Sequence, residues 1–326
     1  MTHILLLATG GTIASRYDAA LGSTVAQDPA NALAAGLSIE PGAVALRTET
    51  FANIGSYAID LPMAFALAQR ILAAVAEDGC LGVAVTHGTD TMEESAFLAD
   101  LLLASDRPVI FTGAQRAADD PAPDGPDNLR DALRAIASGQ LTGSGVLVGF
   151  AGTLHAAREV AKVHASALQA FASPGYGPVG RVDQQTVELR RQPLRRAHYA
   201  PAALDKDVFL IRLTLGSDAR LLHLAVDAGA HALVVEAFGR GNAPPAVTHA
   251  IGEIVAAGVP VVICTRCAEG RVSPVYGAGG GYDLARLGAL FAGDLPGHKA
   301  RVLLSVLLGC GYRGERLREQ LGLLAP

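Results

Sequence analysis

Two threonine-bearing turns carry the residue types from which chemistry can be built: Thr9-Gly10-Gly11-Thr12-Ile13-Ala14-Ser15 and Thr86-His87-Gly88-Thr89-Asp90-Thr91-Met92-Glu93-Glu94. A hydroxyl delivered by a glycine-rich turn at the carboxyl end of a strand is exposed, and free N–H groups at a following helix can stabilise an oxyanion. A threonine hydroxyl is a poor nucleophile at neutral pH and needs a base, a cation or strong polarisation. Asp90 directly follows Thr89, and Lys162 stands among apolar neighbours in Arg158-Glu159-Val160-Ala161-Lys162-Val163-His164. A desolvated lysine has a lowered pKa and can take or give a proton. A set of Thr89, Asp90 and Lys162 can therefore activate a hydroxyl or a water while Thr12 attacks an amide carbonyl. Alone, Thr-Gly-Gly-Thr reads as a tight turn with a helix N-cap, and a single lysine reads as a surface charge. The conjunction of two turns, an acid and a lysine favours amide cleavage over a cofactor cradle.

The elements that must position these residues follow from hydrophobic periodicity. Apolar runs of strand length at Ile4–Ala8 and Leu81–Val85 precede the two turns, and a helical pattern runs from Met92 to Leu103. A Gly/Ala/Ser-rich stretch from Ser15 to about Gln27 reads as a loop, and Ala45–Phe51 as extended chain. Met63, Leu67, Ile71 and Val75 step by four along a helix over Leu61–Ala76. Val109–Phe111 and Val146–Phe150 read as strands, with a Pro/Asp/Gly turn at Asp119–Asp127 and a helix over Asn128–Ala137 between them. The alternation predicts an α/β fold with a larger N-terminal doubly wound, mostly parallel sheet and a smaller C-terminal α/β domain. The pattern loosens between Ser173 and Lys206. A second series then begins at Val208–Leu213, continues through Ala232–Ala237 and Val259–Cys264, and ends in three helical segments that include Arg301–Leu308 and Gly314–Leu323. The expected division is residues 1–190, a linker over 191–206, and residues 207–326.

Composition narrows the partners. With 326 residues the chain can bury a large core, and a length prior gives roughly two domains. The formal net charge of −5 gives no basis for a nucleic acid or anionic membrane partner. Arg190, Arg191, Arg195 and Arg196 form the dense basic cluster, read as a solvated connection. No apolar stretch approaches the roughly 20 residues of a membrane helix, and no targeting segment is evident, so a cytoplasmic location is expected. The four cysteines (Cys80, Cys264, Cys267 and Cys310) are sparse and read as reduced core thiols. Cys264-Thr265-Arg266-Cys267 lacks a second pair, so no metal site is expected. A nucleotide-binding module would need a G-x-G-x-x-G turn or a Walker lysine, and neither accompanies Gly10-Gly11.

The two turns resemble the signatures of the bacterial-type L-asparaginase family of asparaginase/glutaminase amidohydrolases: T-G-G-T-I-A at Thr9–Ala14 and H-G-T-D-T-M-E-E at His87–Glu94. Similarity extends through Asn53-Ile54-Gly55-Ser56, Thr112-Gly113-Ala114-Gln115-Arg116, Asp124–Leu129, Lys162, Phe238-Gly239-Arg240-Gly241-Asn242 and Lys299–Leu304. The resemblance implies that Thr12 is a nucleophile forming an acyl-enzyme, with Thr89, Asp90 and Lys162 as the second catalytic group. It implies that Asp90 holds the α-amino group of L-asparagine and Ser56 its α-carboxylate. Gly11, Gly88 and Thr89 would line the carboxylate and oxyanion sites, and the Ala114 carbonyl would receive the side-chain amide. No cofactor is implied. The resemblance further implies a homotetramer or homodimer with shared active sites, each completed by a neighbour's C-terminal domain, with Asn242 reaching across that interface.

Two positions depart from the family pattern. A tyrosine expected on the loop after Thr12 is replaced by Val25, beside Ser23 and Thr24; Tyr17 is the only tyrosine in that loop and the candidate substitute. A glutamate expected from the partner subunit falls at Gly281, within a glycine run from Gly277, where Tyr276, Tyr282 and Asp283 are the candidate replacements. The core pattern is intact while these contacts are not, which leaves open related substrates (L-glutamine, D-isomers) and a non-catalytic amino-acid-binding homologue.

Overall fold

The computed structural model describes all residues except 36, 38–43, 184, 195–196 and 326. Chain contacts divide it into two compact units, Met1–His198 and Tyr199–Pro326. In the first unit the strands are β1 (His3–Gly10), β2 (Ser15–Asp18), β3 (Ser23–Ala26), β4 (Ala45–Ile54), β5 (Cys80–Thr86), β6 (Val109–Thr112), β7 (Val146–Phe150), β8 (Thr153–Ala156), β9 (Ala161–Lys162), β10 (Phe171–Ala172), β11 (Gly180–Val182) and β12 (Val187–Leu189). Its α-helices are α1 (Ala30–Ala34), α2 (Leu61–Ala76), α3 (Met92–Leu102) and α4 (Gly125–Ala137).

Eight of these strands form one sheet in the order β12-β11-β8-β7-β6-β5-β1-β4. The run from β4 to β7 is parallel, and β8, β11 and β12 continue it antiparallel. Strands buried on both faces read as continuous apolar runs, as in β1, where all eight residues are buried. Ile4, Leu6, Ala84, Ile110 and Leu147 meet Leu129, Leu133 and Ile136 of α4 in one core cluster, while α2 packs on β5 and α3 on β6 and β7. The Asp60 carboxylate accepts the Met63 N–H at 2.9 Å, which caps α2, and Pro62 stands in its first turn.

The connection after β1 leads to β4 on one side, whereas the connection after β5 leads to β6 on the other. Such a reversal opens a crevice at the carboxyl ends of the two central strands, where α/β proteins bind ligands. Both threonine turns leave the sheet there.

The second unit has β13 (Val208–Arg212), β14 (Ala232–Ala237), β15 (Val261–Thr265) and β16 (Leu290–Phe291) in sequential parallel order. Its helices are α5 (Arg220–Asp227), α6 (Pro245–Ala256), α7 (Gly281–Arg286), α8 (Gly297–Gly309) and α9 (Gly314–Leu324). Val235, Ile263, Val247, Ile251 and Leu284 lie in its core.

Several expectations change. The stretch from Ser15 to Gln27 is a paired hairpin, with Tyr17 opposite Thr24 and Arg16 opposite Val25. The loosened stretch after Ser173 holds β11 and β12, which are too short for a period of two to declare itself. Arg191 is not a solvated charge: it forms a bidentate pair with Glu159, whose side chain is only 7 % exposed. Arg190 pairs with Glu188 at the surface, and Arg195 and Arg196 lie outside the described residues. Of the cysteines, all free, Cys80 and Cys264 are buried, Cys310 is intermediate and Cys267 is exposed. Cys267 lies two residues beyond the end of β15, where the chain has left the core.

Candidate active site

The two turns are held against each other by backbone contact. Gly11 has φ +79°, a conformation that favours glycine, and a Cβ on it would lie 2.4 Å from the Gly88 Cα. A Cβ on Gly88 would in turn lie 2.6 Å from Ser56 Oγ. Glycine at both positions is therefore required to bring Thr12, Thr89 and Ser56 around one point. The strand ends beneath are tied as well: Thr9 Oγ1 donates to the Thr86 carbonyl at 3.0 Å, and the Gly11 N–H donates to the Ile54 carbonyl at 2.9 Å.

Thr12 opens a single 3₁₀ turn, Thr12–Ala14. Thr89 is buried, and its Oγ1 accepts a hydrogen bond from Lys162 Nζ at 2.9 Å. The same ammonium donates to Asp90 Oδ1 at 2.8 Å. Lys162 is 15 % exposed at its side chain and Asp90 57 %, so the pair runs from the protein interior to open solvent. Ser56 is buried, and its Oγ accepts the Asp90 N–H at 3.1 Å. That leaves the Ser56 O–H able to donate to an anion. The N–H groups of Thr12, Gly88 and Thr89 have no hydrogen-bond partner among the described residues. Unpaired donors of this kind can stabilise an oxyanion or a carboxylate.

Lys162 is carried by a separate two-stranded sheet outside the eight-stranded one. Its strand β9 pairs with β10, Lys162 opposite Phe171, and the Phe171 ring packs on Phe150 of β7 at 5.0 Å. The Lys162 N–H donates to Glu93 Oε1 in the first turn of α3 at 3.3 Å. The ion pair of Glu159 with Arg191, whose guanidinium also donates to the Gly177 carbonyl, clamps the same segment.

Beneath the second turn lies His87, fully buried against Phe111 with ring centroids 5.8 Å apart. Its Nδ1 is 2.7 Å from the Gly88 carbonyl, an acceptor only, so Nδ1 carries the proton. Burial pushes this imidazole down to about 4, so it is neutral at pH 7.

A cleft of about 600 Å³ opens over these groups, lined by Gly11, Thr12, Ser56, Gly88, Thr89, Asp90 and Lys162. The hairpin contributes Ser15, Thr24, Val25 and Ala26 to its wall. Tyr17 does not line the cleft and points to solvent at 61 % exposure. Ala114 is buried, and Gln115 is the neighbouring residue that reaches the wall. Two wall atoms, Asn53 Oδ1 and Gln115 Nε2, are buried without a partner among the described residues.

Asn242 and Gly281 belong to the second unit and are bound to each other, the Gly281 N–H donating to Asn242 Oδ1 at 3.1 Å. Asp283 accepts the Gly279 N–H at 2.7 Å, and the Tyr282 N–H donates to the Tyr276 carbonyl at 2.8 Å. Sequence reasoning missed Tyr57, which stands 81 % exposed beside Ser56 and lines the cleft. Its adjacency to Ser56 was the available signal.

Fold and site together define an α/β protein whose cleft gathers hydroxyl, ammonium and carboxylate groups at the carboxyl ends of parallel strands. Residues 3–195 match the N-terminal asparaginase family model, and residues 207–321 match the glutaminase/asparaginase C-terminal domain. The chain is 35 % identical over 313 residues to an L-asparaginase of Bacillus licheniformis, covering 95 % of this chain and 97 % of that one. It is 42 % identical over 243 residues to a probable L-asparaginase of Deinococcus radiodurans, covering 73 % and 74 %. Among solved structures, that of a probable cytoplasmic L-asparaginase from Campylobacter jejuni matches with a TM-score of 0.87 at 28 % identity, covering 99 % of this chain and all of that one. The chain belongs to the asparaginase family. It is an asparaginase-type amidohydrolase.

Proposed function

We propose that the protein hydrolyses L-asparagine to L-aspartate and ammonia through a covalent threonine ester. The observation that carries this reading is Lys162 Nζ within hydrogen-bond reach of both Thr89 Oγ1 and Asp90 Oδ1. Thr12 Oγ1 attacks the side-chain amide carbon, and the developing oxyanion is met by the unpaired N–H groups of the two turns. The hydroxyl proton passes to the departing nitrogen, which leaves as ammonia, and an ester to Thr12 remains. A water, activated through Thr89 and Lys162, then adds to the ester carbon; the C–O bond to Thr12 breaks, the threonine recovers its proton, and aspartate is released. Ser56 donates to the α-carboxylate, and Asp90 takes the α-amino group. Gly11, Gly88 and the Ala114 carbonyl complete the substrate contacts.

In this reading residues 1–190 form the catalytic domain, residues 191–206 a linker, and residues 207–326 a domain that completes a neighbour's site, with Asn242 at that boundary. A homotetramer, or a homodimer with shared sites, follows from the family resemblance, and a cytoplasmic location is supported by the likeness to the probable cytoplasmic L-asparaginase from Campylobacter jejuni. A second reading keeps the chemistry and changes the amide to L-glutamine. It is supported by the roomy cleft and by the glutaminase/asparaginase description of the C-terminal domain. Ammonia release from L-asparagine, L-glutamine and their D-isomers separates the two. Thr12→Ala is expected to lower kcat by roughly 10⁴-fold or more, as loss of a nucleophile does elsewhere. Full turnover by that variant would overturn the nucleophile assignment.

A further inference from the structure

We infer that Asp124 is a positioning residue whose carboxylate aims the Ala114 carbonyl. The inference rests on the proposed function, in which that carbonyl receives the side-chain amide of the substrate. Asp124 stands at the N-cap of α4, where an aspartate ordinarily accepts an N–H of its own helix. Here its side chain makes no cap bond. Both carboxylate oxygens turn instead to the Gly113–Arg116 turn that follows β6. Oδ1 and Oδ2 lie 3.1 and 3.0 Å from the Gln115 nitrogen, and Oδ1 also accepts the Arg116 N–H at 2.9 Å. The Ala114 carbonyl and the Gln115 N–H belong to one peptide unit. A trans peptide is planar and its C=O and N–H point in opposite directions, so a carboxylate that holds the N–H also fixes the carbonyl.

The preceding peptide unit is braced as well. Asn128, buried in the first turn of α4, donates from Nδ2 to the Gly113 carbonyl at 3.0 Å. Its Oδ1 accepts the Ala151 N–H at 2.9 Å, so partners on both sides orient the amide. Nδ2 also reaches Asp124 Oδ2 at 3.3 Å and joins the two braces. Gly113 presses on the second threonine turn, where a Cβ would lie 2.4 Å from the His87 carbonyl oxygen. Between these braces Ala114 is buried, and its carbonyl accepts no hydrogen bond among the described residues. A buried carbonyl without a donor is costly, and an amide N–H brought to it removes that cost. The contact strengthens as the nitrogen gains its proton and departs as ammonia. An ester at the same carbon offers that carbonyl no N–H. Asp124 therefore acts through Ala114 on the amide alone.

The test measures kcat/KM, which covers formation of the threonine ester, for L-asparagine and for the β-methyl ester of L-aspartate. The wild type is compared with Asp124→Asn and Asp124→Ala. Asp124→Ala should lower kcat/KM for the amide by about 10- to 100-fold, the worth of one hydrogen bond to a group gaining charge, and hold the ester within about 3-fold. Asp124→Asn keeps one acceptor oxygen and should fall between Asp124→Ala and the wild type. A carboxylate that only held the loop together would lower both substrates alike. Equal losses therefore overturn the inference, and so does an unchanged amide rate. Asp124 is only partly buried, and thermal melting checks that the variants fold. If Asp124→Ala is unfolded, the amide-to-ester ratio of Asp124→Asn decides alone. A wild type that releases neither ammonia from asparagine nor methanol from the ester overturns the hydrolase reading itself, a result distinct from equal losses in an active enzyme.

Discussion

The floor and the rim of the cleft are built by opposite means. The floor is backbone against backbone: Gly11 on Gly88, Gly88 on Ser56, with Thr89 and His87 buried beneath. The rim is side chain against solvent: an exposed hairpin on one side and the Tyr57 ring on the other. A floor without room for a Cβ holds its hydroxyls in fixed relation, as preorganised catalysis requires. A rim of exposed groups can be exchanged without disturbing that relation. Under the proposed function that difference separates activity from selectivity: the floor would set the reaction, and the rim what may enter.

The largest effect in this comparison belongs to Lys162. Lys162→Met keeps the length of the aliphatic stem and removes the donor to Thr89 and Asp90. The expected loss in kcat is about 10²- to 10⁴-fold, the range for removal of a positioned proton-transfer group. Steady-state ammonia release measures it, and a loss confined to KM would move Lys162 from the floor's chemistry to its binding.

Next comes the close approach itself. Gly11→Ala drives a methyl group to 2.4 Å from Gly88 Cα at a positive φ. The backbones must part, and a displacement of about 1 Å at a reacting centre costs on the order of 10²-fold in rate. We expect that loss together with a lower melting temperature. An unaffected Gly11→Ala enzyme would mean that the floor yields, and the contrast with the rim would dissolve.

A third measurement probes the floor by pH. His87 is neutral in the folded protein, with a pKa pushed down to about 4 by burial, against an unfolded value near 6.5. Between those values the unfolded chain binds the additional proton, so the contribution is fully present above pH 6.5 and is lost as pH falls toward 4. A shift of that size corresponds to about 3 kcal/mol. His155, held at about 4 by burial and by nearby Arg191, adds a second loss in the same window. Chemical denaturation at pH 6.5 and pH 4.5 should show the fall, with a shallower slope for His87→Asn. Identical slopes would place the acid sensitivity elsewhere.

What could be read in the sequence divides along the same line. The floor was legible because backbone chemistry leaves signatures: glycines before threonines at the ends of apolar runs announce hydroxyls at strand ends, and Lys162 stands out as a charge among apolar neighbours. The doubly wound α/β class followed from alternating apolar runs and helical patterns, whereas the order of the strands came only with the fold. The rim was not legible. The hairpin over Ser15–Ala26 read as a loop because its paired strands face solvent and carry no apolar alternation. Tyr57 follows a motif residue, but only the fold says which way its ring points. Arg191 read as one of several solvated charges, since its buried partner Glu159 lies 32 residues away.

The smallest expected effect tests the rim. Tyr17 is the tyrosine that the hairpin does carry, yet its pairing opposite Thr24 leaves the ring 61 % exposed and outside the cleft wall. Its backbone is anchored independently, the N–H donating to Asp119 Oδ2 at 2.7 Å. Removing the hydroxyl leaves that anchor, the strand pairing and the ring intact. Tyr17→Phe should therefore keep kcat/KM within about 2-fold, and stability within about 0.5 kcal/mol, as for surface substitutions elsewhere. Measured beside Tyr57→Phe, it asks which phenol the substrate meets. A 10-fold fall in kcat for Tyr17→Phe, with Tyr57→Phe unchanged, would mean that the hairpin folds over the occupied cleft and carries its own tyrosine to Thr12. The rim would then take part in the reaction, and the division of labour between floor and rim would have to be abandoned.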